Sequence, residues 1–453
     1  MKELDLTQGS VPKVLLQFAV PFLIANVLQA LYGGADLFVV GQYDDSASVA
    51  AVAIGSQVMQ TITGIILGIT TGTTVLIAIA TGAKDNRKVA FTIGSSVWLF
   101  SITGVVLTLV MVLFHDRIAE LMHTPVEAMA DTKSYILVCS LGILFIVGYN
   151  VVCGILRGLG DSKTPLYFVG LACVINIVLD FILVGYFHWG AAGAAIATVS
   201  AQGVSFGIAL WFLYRHGFHF DFSRKDIRLN RNLSKKILVL GAPIALQDAL
   251  INVSFLIITV IVNQMGVIAS ASLGVEKIIV FAMLPPMAIS SAVATMTAQN
   301  YGAGLIKRMN KCLASGIGIA LVFGVSVCVY SQFLPETLTA FFTKDAAVVA
   351  MAADYLRGYS IDCIVVSFVF CINSYFSGQG NSLFPMIHSL IATFLFRIPL
   401  SYWFSQIDSS SLFIMGFAPP ISTVVSLLIC IWYLRYTQRK LYLRGTMMPA
   451  MSN

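Results

Sequence analysis

Long apolar runs that carry almost no charge limit what this chain can fold into more than any other feature. An α-helix needs about 20 mostly apolar residues to cross a bilayer, whereas a strand of a membrane barrel has about ten residues in strict alternation. The sequence contains twelve long runs, and we therefore predict an all-α polytopic membrane protein with twelve transmembrane helices. The runs cover residues 14–41, 48–80, 90–114, 133–156, 166–187, 190–214, 236–264, 269–299, 312–334, 354–377, 385–406 and 411–434.

The composition excludes a soluble fold for a chain of this length. Only 11% of the 453 residues are charged and 58% are hydrophobic, with a mean hydropathy of +0.88, whereas soluble domains carry roughly 25% charged residues. The net charge of +6 does not indicate a nucleic-acid surface, because the basic residues lie between the apolar runs. We expect membrane lipids as the surroundings, no nucleic acid and no obligate protein partner.

The basic residues predict the orientation of the chain in the membrane. Of the 27 Lys and Arg, 21 lie in the two tails and in alternate loops, and only Arg117, Lys133 and Lys344 lie in loops on the other side. Basic loops stay in the cytoplasm, so both termini should be cytoplasmic and the protein should lie in the cell membrane. The polar start of the chain, with no small-residue cleavage site after the first run, predicts that this run stays as a membrane helix.

A basic stretch divides the runs into two sets of six. The predicted domains are an N-terminal six-helix lobe at 1–214, a basic cytoplasmic linker at 215–236, a C-terminal six-helix lobe at 237–434 and a cytoplasmic tail at 435–453. His216 and His219 in the linker have a metal-like spacing, but no further ligand accompanies them and we interpret the segment as a solvated linker. The eight cysteines all lie in apolar runs, which indicates buried thiols without a disulfide framework.

The two halves of the chain resemble each other at an offset near 220 residues. Because each half has an even number of spans and begins on the same side, the repeats are parallel and related by a pseudo-two-fold axis along the membrane normal. This plan is typical of transporters, with a substrate cavity between the halves and alternating access by their relative movement. The aligned motifs are 19–21 with 241–243, 82–88 with 302–308, and 158–165 with 378–385.

Glycine and proline suggest local features of the spans. Gly64, Gly68 and Gly72 recur every four residues and predict close helix packing, whereas the glycines of 158–165 predict a tight cytoplasmic turn, since the Gly-Lys-Ser/Thr order of a phosphate-binding loop is missing. Prolines within the spans remove backbone donors and permit kinks, which either bend between states or are static. They are Pro21, Pro243, Pro285, Pro286, Pro419 and Pro420.

Acidic residues inside apolar spans are costly and point to function. In the first half, Asp36 and Asp180 lie in spans one and five, Asn176 is one helical turn before Asp180, and Thr198 adds a hydroxyl from span six. These hard oxygen donors suit a small cation, and two neighbouring carboxylates could instead hold a proton near neutral pH. The alternative is that Asp36 and Asp180 are unrelated and are each satisfied by local hydrogen bonds or by water.

The six-span repeats, the segment Ala35-Asp36-Leu37-Phe38-Val39-Val40-Gly41 and the pair Asn176-x-x-x-Asp180 resemble the MATE (multidrug and toxic compound extrusion) family over essentially the whole chain. The resemblance implies a cation site in the N-terminal lobe, which transfers to Asp36, Asn176, Asp180 and Thr198. These residues would bind Na⁺, or take up H⁺, as the coupling ion, with no other cofactor. It also implies export of small organic cations in exchange for that ion.

The second half does not repeat the ion site. At the shared offset Ile258 aligns with Asp36 and Leu400 with Asp180. Instead this half carries five charged residues in its spans that form either a gating ion pair, with Lys277 or Arg397 compensating an acid, or a direct substrate contact. These residues are Asp248, Glu276, Lys277, Asp362 and Arg397.

The residues therefore favour a secondary antiporter that exports organic cations or drugs across the cytoplasmic membrane in exchange for Na⁺ or H⁺. The nearest alternative is a flippase or exporter of a lipid-linked or other amphiphilic substrate, which would need a basic cavity, whereas the intramembrane acids here outnumber the bases. We do not expect an enzyme, because His388 stands alone in its span and no HExxH pattern is present. No P-loop indicates an ATP-driven pump.

Overall fold

The computed structural model describes residues 4–273, 277–341, 343–407 and 411–447, and these ranges form α-helices joined by short turns, without any β-strand. Two π-helical turns, Phe181–Tyr186 and Ala392–Arg397, follow α6 and α14 directly. The all-α prediction is confirmed. The helices are α1 (Val11–Tyr43), α2 (Ser46–Gly82), α3 (Asn86–Leu121), α4 (Met129–Leu141), α5 (Ile143–Leu159), α6 (Lys163–Asp180), α7 (Gly190–His216), α8 (Arg231–Asn263), α9 (Val267–Leu273), α10 (Lys277–Gly302), α11 (Ile306–Phe333), α12 (Pro335–Thr339), α13 (Ala346–Gly378), α14 (Leu383–Ile391), α15 (Ile398–Ile407) and α16 (Ala418–Met447).

Within the described ranges, eleven helical segments are long and apolar enough to cross a membrane, or twelve if one bent pair is counted as a single span. The bent pair consists of Val126–Leu141 and Ile143–Leu159, which meet at 50°. The bend occurs at Gly142, where an added Cβ would lie 2.5 Å from the Val199 side chain of α7. The span count agrees with the twelve predicted runs, and the chain is a multi-pass membrane protein.

Several helices extend beyond their predicted spans. The helix α3 continues to Leu121, where the apolar run predicted an end at 114. Its last turns are polar, and Lys133 Nζ lies 3.1 Å from Asp116 Oδ1 and 3.9 Å from Glu120 Oε1. Polar turns of this kind continue a helix past the hydrocarbon region, so hydropathy marks the span and not the end of the helix.

The chain divides into two compact units. The first covers the described chain up to Ala249 together with Thr295–Met309 and Gly378–Gly380, and the second covers Leu250–Ala294, Asn310–Ser377 and the remainder. Each unit has its own apolar core, which in the first includes the buried residues Ile66, Phe100, Ile136 and Ile155, and in the second Ile258, Val262, Leu356 and Met415. All eight cysteines are buried free thiols. The division into lobes at 1–214 and 237–434 stays a prediction based on the repeat.

The repeated turn motif adopts the same design in both copies. Gly160 has a φ of +98°, and the Asp161 carboxylate then accepts two backbone N–H groups at 3.0 Å from the first turn of α6. In the second copy Gly380 has a φ of +85°, and Asn381 Oδ1 accepts the backbone N–H of Phe384 at 3.4 Å. Glycine is needed because other residues rarely adopt this backbone conformation. The predicted tight turn is confirmed.

Two of the three glycines spaced along α2 make the predicted close contacts with α8. An added Cβ at Gly68 would lie 2.5 Å from the Cα of Ala245, and one at Gly72 would lie 2.5 Å from the carbonyl oxygen of Ile237. Gly64 has no atom within 4 Å of that position, so the packing prediction is wrong for this residue. Periodicity alone could not show where along α2 the contact with α8 ends.

The prolines fall into two groups. Pro21, Pro243 and the Pro285-Pro286 pair lie inside α1, α8 and α10. The Pro419-Pro420 pair lies at the start of α16, which continues directly from the 3₁₀ turn Met415–Phe417. The kink at that pair stays a prediction.

The linker is held against the helices. The indole Nε1 of Trp98, on α3, donates to the Ile227 carbonyl oxygen at 3.0 Å. The ring of His216 stacks on Phe212, with 4.3 Å between ring centroids. In the described part of the chain, no group of three or more His, Cys, Asp or Glu could hold a metal ion.

Candidate functional site

Four predicted residues come together in the first compact unit. Asp36 lies on α1, Asn176 and Asp180 lie one turn apart on α6, and Thr198 lies on α7. The Thr198 hydroxyl donates to Asp36 Oδ2 at 3.1 Å and accepts from Asn176 Nδ2 at 3.3 Å. The side chains of Asp180 and Asp36 contact each other directly. These three helices thus bring two carboxyl groups, an amide and a hydroxyl into one site.

The site is buried and short of hydrogen-bond donors. Asp36 is 4% exposed, Asn176 1% and Asp180 0%. Asp36 Oδ1, Asn176 Oδ1 and both carboxylate oxygens of Asp180 have no hydrogen-bond partner. Two ionised carboxylates in contact, with only the Thr198 hydroxyl bonded to one of their oxygens, would cost several kcal/mol each. A proton, a small cation or water would compensate these oxygens.

The local structure of two helices places these side chains. Asp180 is the last residue of α6 before the π-helical turn Phe181–Tyr186, and such turns are frequent at functional sites. On α1, Gly33 and Gly34 precede Asp36, and no atom lies within 4 Å of where their Cβ atoms would be. Two consecutive glycines weaken a helix by about 1 kcal/mol each relative to alanine. The helix that carries Asp36 therefore has a weak point and free space beside the site.

Neutral polar residues surround the two carboxyl groups and were not predicted from the sequence. The hydroxyl of Tyr32 contacts the Gln202 side chain, and the Gln202 Oε1 atom is another buried oxygen without a partner. Tyr135 forms a hydrogen bond with the Ser56 hydroxyl at 3.0 Å and, like Cys139, lies close to Asp36. The sequence gives a signal for one of them only. Tyr32 precedes Asp36 by one helical turn and therefore lies on the same face of α1.

The donor set can be tested against the ions that the resemblance implies. Carboxylate, amide and hydroxyl oxygens are hard ligands, and the site offers them without a sulfur or imidazole ligand, which excludes a typical zinc or copper site. With two carboxylates, full ionisation gives a charge of −2, and one proton or one monovalent cation reduces it to −1. The residues fit Na⁺ or H⁺ as a transported ion.

The predicted residues of the second half do not form a comparable site. Asp362 is 5% exposed on α13 and lies near Thr423 and Arg397, but the structure records no ion pair within 4 Å between Asp362 and Arg397. The Arg397 guanidinium lies over the Phe255 ring, with 4.3 Å to the centroid. Buried atoms of both Asp362 and Arg397 lack hydrogen-bond partners. Their gating or substrate roles stay predictions.

Two further residues, Asp248 and Glu276, complete the set of acids predicted in the second half. Asp248 is exposed on α8 and belongs to the first compact unit. Glu276 lies outside the described residues. At the positions that align with Asp36 and Asp180, Ile258 is buried in an apolar core and Leu400 is half-buried. The oxygen-rich site is therefore not duplicated at the positions related by the repeat.

The helical spans define a polytopic membrane protein whose first compact unit holds a buried cluster of oxygen atoms. The MatE family model matches residues 21–182 and 243–403, once in each half and at an offset close to that of the motif pairs. These matches cover most of the chain, and the chain belongs to the MatE family. The resemblance to the MATE transporters is thereby confirmed.

Relatives and solved structures agree with this assignment. The chain is 29% identical over 407 residues to the "Probable multidrug resistance protein YpnP" of Bacillus subtilis, covering 89% of this chain and 91% of the relative. It is 28% identical over 405 residues to the "Probable multidrug resistance protein NorM" of Thermotoga maritima, covering 86% and 85%. A solved "outward-facing conformation of a multidrug resistance MATE family transporter of the MOP superfamily" shares the fold, with a TM-score of 0.91, 23% identity and coverage of 97% and 99%.

Proposed function

We propose that this protein is a secondary antiporter that exports organic cations or drugs across the cytoplasmic membrane in exchange for Na⁺ or H⁺. The contact between the buried carboxyl groups of Asp36 and Asp180 carries this proposal, because Thr198 donates to Asp36 Oδ2 and the other three carboxylate oxygens have no hydrogen-bond partner among the described residues. An ion from outside the cell would supply that compensation and would leave again on the inside.

Two observations support a small cationic cargo. The relatives carry names that describe multidrug resistance or multidrug export, which indicates small-molecule substrates. The acids Asp36, Asp180, Asp248, Glu276 and Asp362 also outnumber the three bases in or near the spans, which are Lys277, Arg357 and Arg397. A cavity for a lipid-linked or other amphiphilic anion would need the opposite balance of charge.

The residues of α1 and α6 suggest how uptake of the ion would oppose binding of the substrate. Binding of the ion neutralises charge at Asp36 and draws its carboxyl group toward Asp180. The Gly33-Gly34 pair offers little resistance to a change in α1, and Pro21 already interrupts the hydrogen bonds of the same helix. Bending of α1 would then disfavour the bound substrate, so that ion and substrate occupy the protein alternately.

Efflux from reconstituted vesicles tests the proposal. Vesicles would be prepared with wild type, with Asp36→Asn or with the control Asp116→Asn. They would be loaded with a fluorescent organic cation, and Na⁺ and H⁺ gradients would be imposed separately. Asp116 is an exposed carboxylate at the end of α3 and pairs with Lys133, so its loss should leave transport unchanged. Efflux driven by one gradient, retained in the control and absent in Asp36→Asn, identifies the coupling ion.

Failure would also be informative. If wild type moves no organic cation under either gradient, the proposed cargo is wrong, and lipid-linked or anionic substrates should be assayed with the same vesicles. If wild type transports and Asp36→Asn transports equally well under the same gradient, the ion site lies elsewhere and the role given to Asp36 is wrong.

A further inference from the structure

Two arginines from distant parts of the sequence form cation–π contacts with one aromatic ring at the start of α3. The guanidinium of Arg87 lies 5.9 Å from the centroid of the Phe91 ring, and that of Arg228 lies 5.0 Å from the same centroid. Arg87 is in the first turn of α3, whereas Arg228 belongs to the linker. Both side chains are exposed, so two positive charges are held close together at the surface.

Specific contacts hold the linker in this position. The Asp226 carbonyl lies so close to Gly94 that an added Cβ would overlap it. The Trp98 indole donates to the Ile227 carbonyl oxygen at 3.0 Å, and the Ser95 hydroxyl donates to the Arg228 carbonyl oxygen at 3.5 Å. Arg228 is therefore placed beside Arg87 by backbone docking along α3.

The nearby acids form no ion pair within 4 Å with the two arginines, and Asp226 interacts with both only at longer range. Asp85 caps α3 by accepting the backbone N–H of Lys88 at 3.0 Å. Asp226 accepts the backbone N–H and the hydroxyl of Ser223 at 2.8 and 2.9 Å, and these bonds hold the pKa of Asp226 below its usual range. Among the described residues neither Arg87 nor Arg228 forms an ion pair within 4 Å. Their N–H donors are available to an external anion.

The arginine pair lies at the end of an exposed apolar stripe. The residues of α3 that follow Phe91 on this stripe are Trp98, Ile102, Val105, Leu109 and Leu113, which are 45%, 46%, 46%, 56% and 73% exposed. From Phe91 to Leu113 the helix rises about 33 Å at 1.5 Å per residue, close to the roughly 30 Å of a bilayer core. The stripe thus spans the hydrocarbon region and places Phe91 at its boundary with the headgroups.

The linker contributes apolar residues at the same depth. Ile227 is 36% exposed and Leu229 is 47% exposed, on either side of Arg228. An exposed pattern of apolar, basic and apolar residues is suited to a membrane interface, where the apolar side chains enter the acyl region and the guanidinium stays with the headgroups.

We propose that Arg87 and Arg228, gathered over Phe91, bind the headgroup phosphate of an anionic phospholipid in the leaflet that we predict to be cytoplasmic. The acyl chains would lie along the exposed stripe of α3. Guanidinium groups match phosphate oxygens in geometry and charge, and anionic headgroups are attracted to basic residues at the membrane surface. The docked linker thereby becomes part of a lipid site.

Binding to the wild-type protein gives the first test. Native mass spectrometry of the purified protein would measure the affinity for phosphatidylglycerol and for phosphatidylcholine with the same acyl chains. We expect at least about tenfold tighter binding of phosphatidylglycerol, since each basic residue near an anionic surface contributes about 1 kcal/mol and 1.4 kcal/mol is tenfold. Equal affinity for the two lipids, or equally tight binding of glycerol phosphate without acyl chains, overturns the proposal.

A charge-matched pair of variants gives the second test. R87Q/R228Q removes the two charges over Phe91, and R231Q/K235Q removes two exposed charges near the start of α8 that do not contact this ring. We expect phosphatidylglycerol to bind about thirtyfold more weakly to R87Q/R228Q and to keep most of its affinity for R231Q/K235Q. A similar loss in both variants would indicate diffuse attraction, and no loss in R87Q/R228Q would show that the lipid binds elsewhere; either result overturns the site.

Discussion

At the scale of single residues, the candidate ion site depends on one bridging hydroxyl. Thr198 is the residue that connects Asp36 and Asn176, as donor to the first at 3.1 Å and acceptor from the second at 3.3 Å. A hydrogen bond to a charged group contributes about 1.5–3 kcal/mol when its geometry is good. The hydroxyl therefore orients Asp36 Oδ2 and leaves Oδ1 of the same carboxylate for the ion.

Thr198→Val should weaken binding of the coupling ion without unfolding the protein. Valine keeps the volume of threonine, so the loss is that of the hydroxyl, and we expect the apparent affinity for the driving ion to fall at least about tenfold. The measurement is the ion concentration that half-saturates efflux. Thr103→Val is the matched control, because the Thr103 hydroxyl bonds only to the Leu99 carbonyl of its own helix. If the ion concentration for half-saturation is the same in Thr198→Val and in wild type, Thr198 does not belong to the ion site.

The sequence revealed the two carboxylates together with Asn176 and Thr198, and it missed the neutral residues around them. A carboxylate in an apolar span is conspicuous because its burial is costly, and the i, i+4 spacing placed Asn176 with Asp180. Tyr32 and Gln202 gave no such signal, since tyrosine and glutamine are tolerated on many faces of a membrane helix. Their part in the site follows from the packing of α1 on α7, which the sequence of either helix alone does not specify.

At the scale of helices, the repeat brings two equivalent glycines into one contact. Gly82 ends α2 and Gly302 ends α10. An added Cβ at Gly82 would overlap the Gln299 carbonyl oxygen, and one at Gly302 would overlap that of Ile79. Each glycine therefore lies on the backbone of the other helix, and the two helix ends approach as closely as backbones can.

Alanine at either position should destabilise the protein. The backbone of the opposing helix cannot move aside as a side chain can, so we expect a loss of about 1–3 kcal/mol and a fall in Tm of about 1–3 °C for Gly82→Ala or Gly302→Ala. Gly207→Ala on α7 is the control, because no atom lies within 4 Å of its Cβ position, and it should be neutral or slightly stabilising. Tm would be measured by intrinsic fluorescence in one detergent. Unchanged Tm in both glycine variants would contradict the close approach.

Arg308 makes most of the side-chain hydrogen bonds to the segment before α1. Arg308 donates to the carbonyl oxygens of Leu6, Gln8 and Gly9, the last at 2.7 Å, and Asn300 Nδ2 donates to the Leu6 oxygen at 3.1 Å. The Leu6 side chain is 0% exposed as a result. These contacts fix the start of the chain against the start of α11 and the end of α10.

Arg308→Gln should release this segment. In a Leu6→Cys background we expect maleimide to label Cys at this position at least about tenfold faster when Arg308 is replaced, because two charge-assisted bonds of about 1 kcal/mol or more are lost. The native cysteines are buried and give a low background. Lys307→Gln removes a neighbouring exposed charge and should leave the labelling rate unchanged. If the labelling rate rises equally in both variants, positive charge protects the segment, and the hydrogen bonds from Arg308 to the carbonyl groups do not.

At the scale of the whole molecule, the repeat could be predicted from the sequence and the division into compact units could not. Motif pairs at one offset predicted two similar halves, and the family model matches each half once. The structure nevertheless groups Thr295–Met309 with the first unit. That grouping follows from contacts such as the bond from Gln299 Nε2 to the Gly158 carbonyl oxygen at 3.1 Å, which no periodicity in either segment encodes.

Because the two halves share a scaffold and only one carries the oxygen-rich site, antiport requires that this one site be linked to substrate binding. Linkage is reciprocal for binding: if the ion lowers affinity for the substrate, the substrate lowers affinity for the ion by the same factor, typically 5–150-fold. We expect saturating coupling ion to raise the Kd of a fluorescent organic cation at least about fivefold in wild type. In Asp36→Asn the carboxylate that takes up the ion is missing, so the Kd should no longer depend on the ion.

Equilibrium binding to the purified protein measures the effect of the ion on the Kd of the organic cation without any gradient. The Kd would be determined by fluorescence anisotropy across a titration of Na⁺ at fixed pH and a titration of pH without Na⁺, with Asp116→Asn as the variant that should behave as wild type. Since a ligand shifts a two-state equilibrium only through its differential affinity for the two states, a wild-type Kd that is constant in both titrations would show that the site at Asp36 and Asp180 does not oppose substrate binding. Exchange would then have to be coupled elsewhere in the chain.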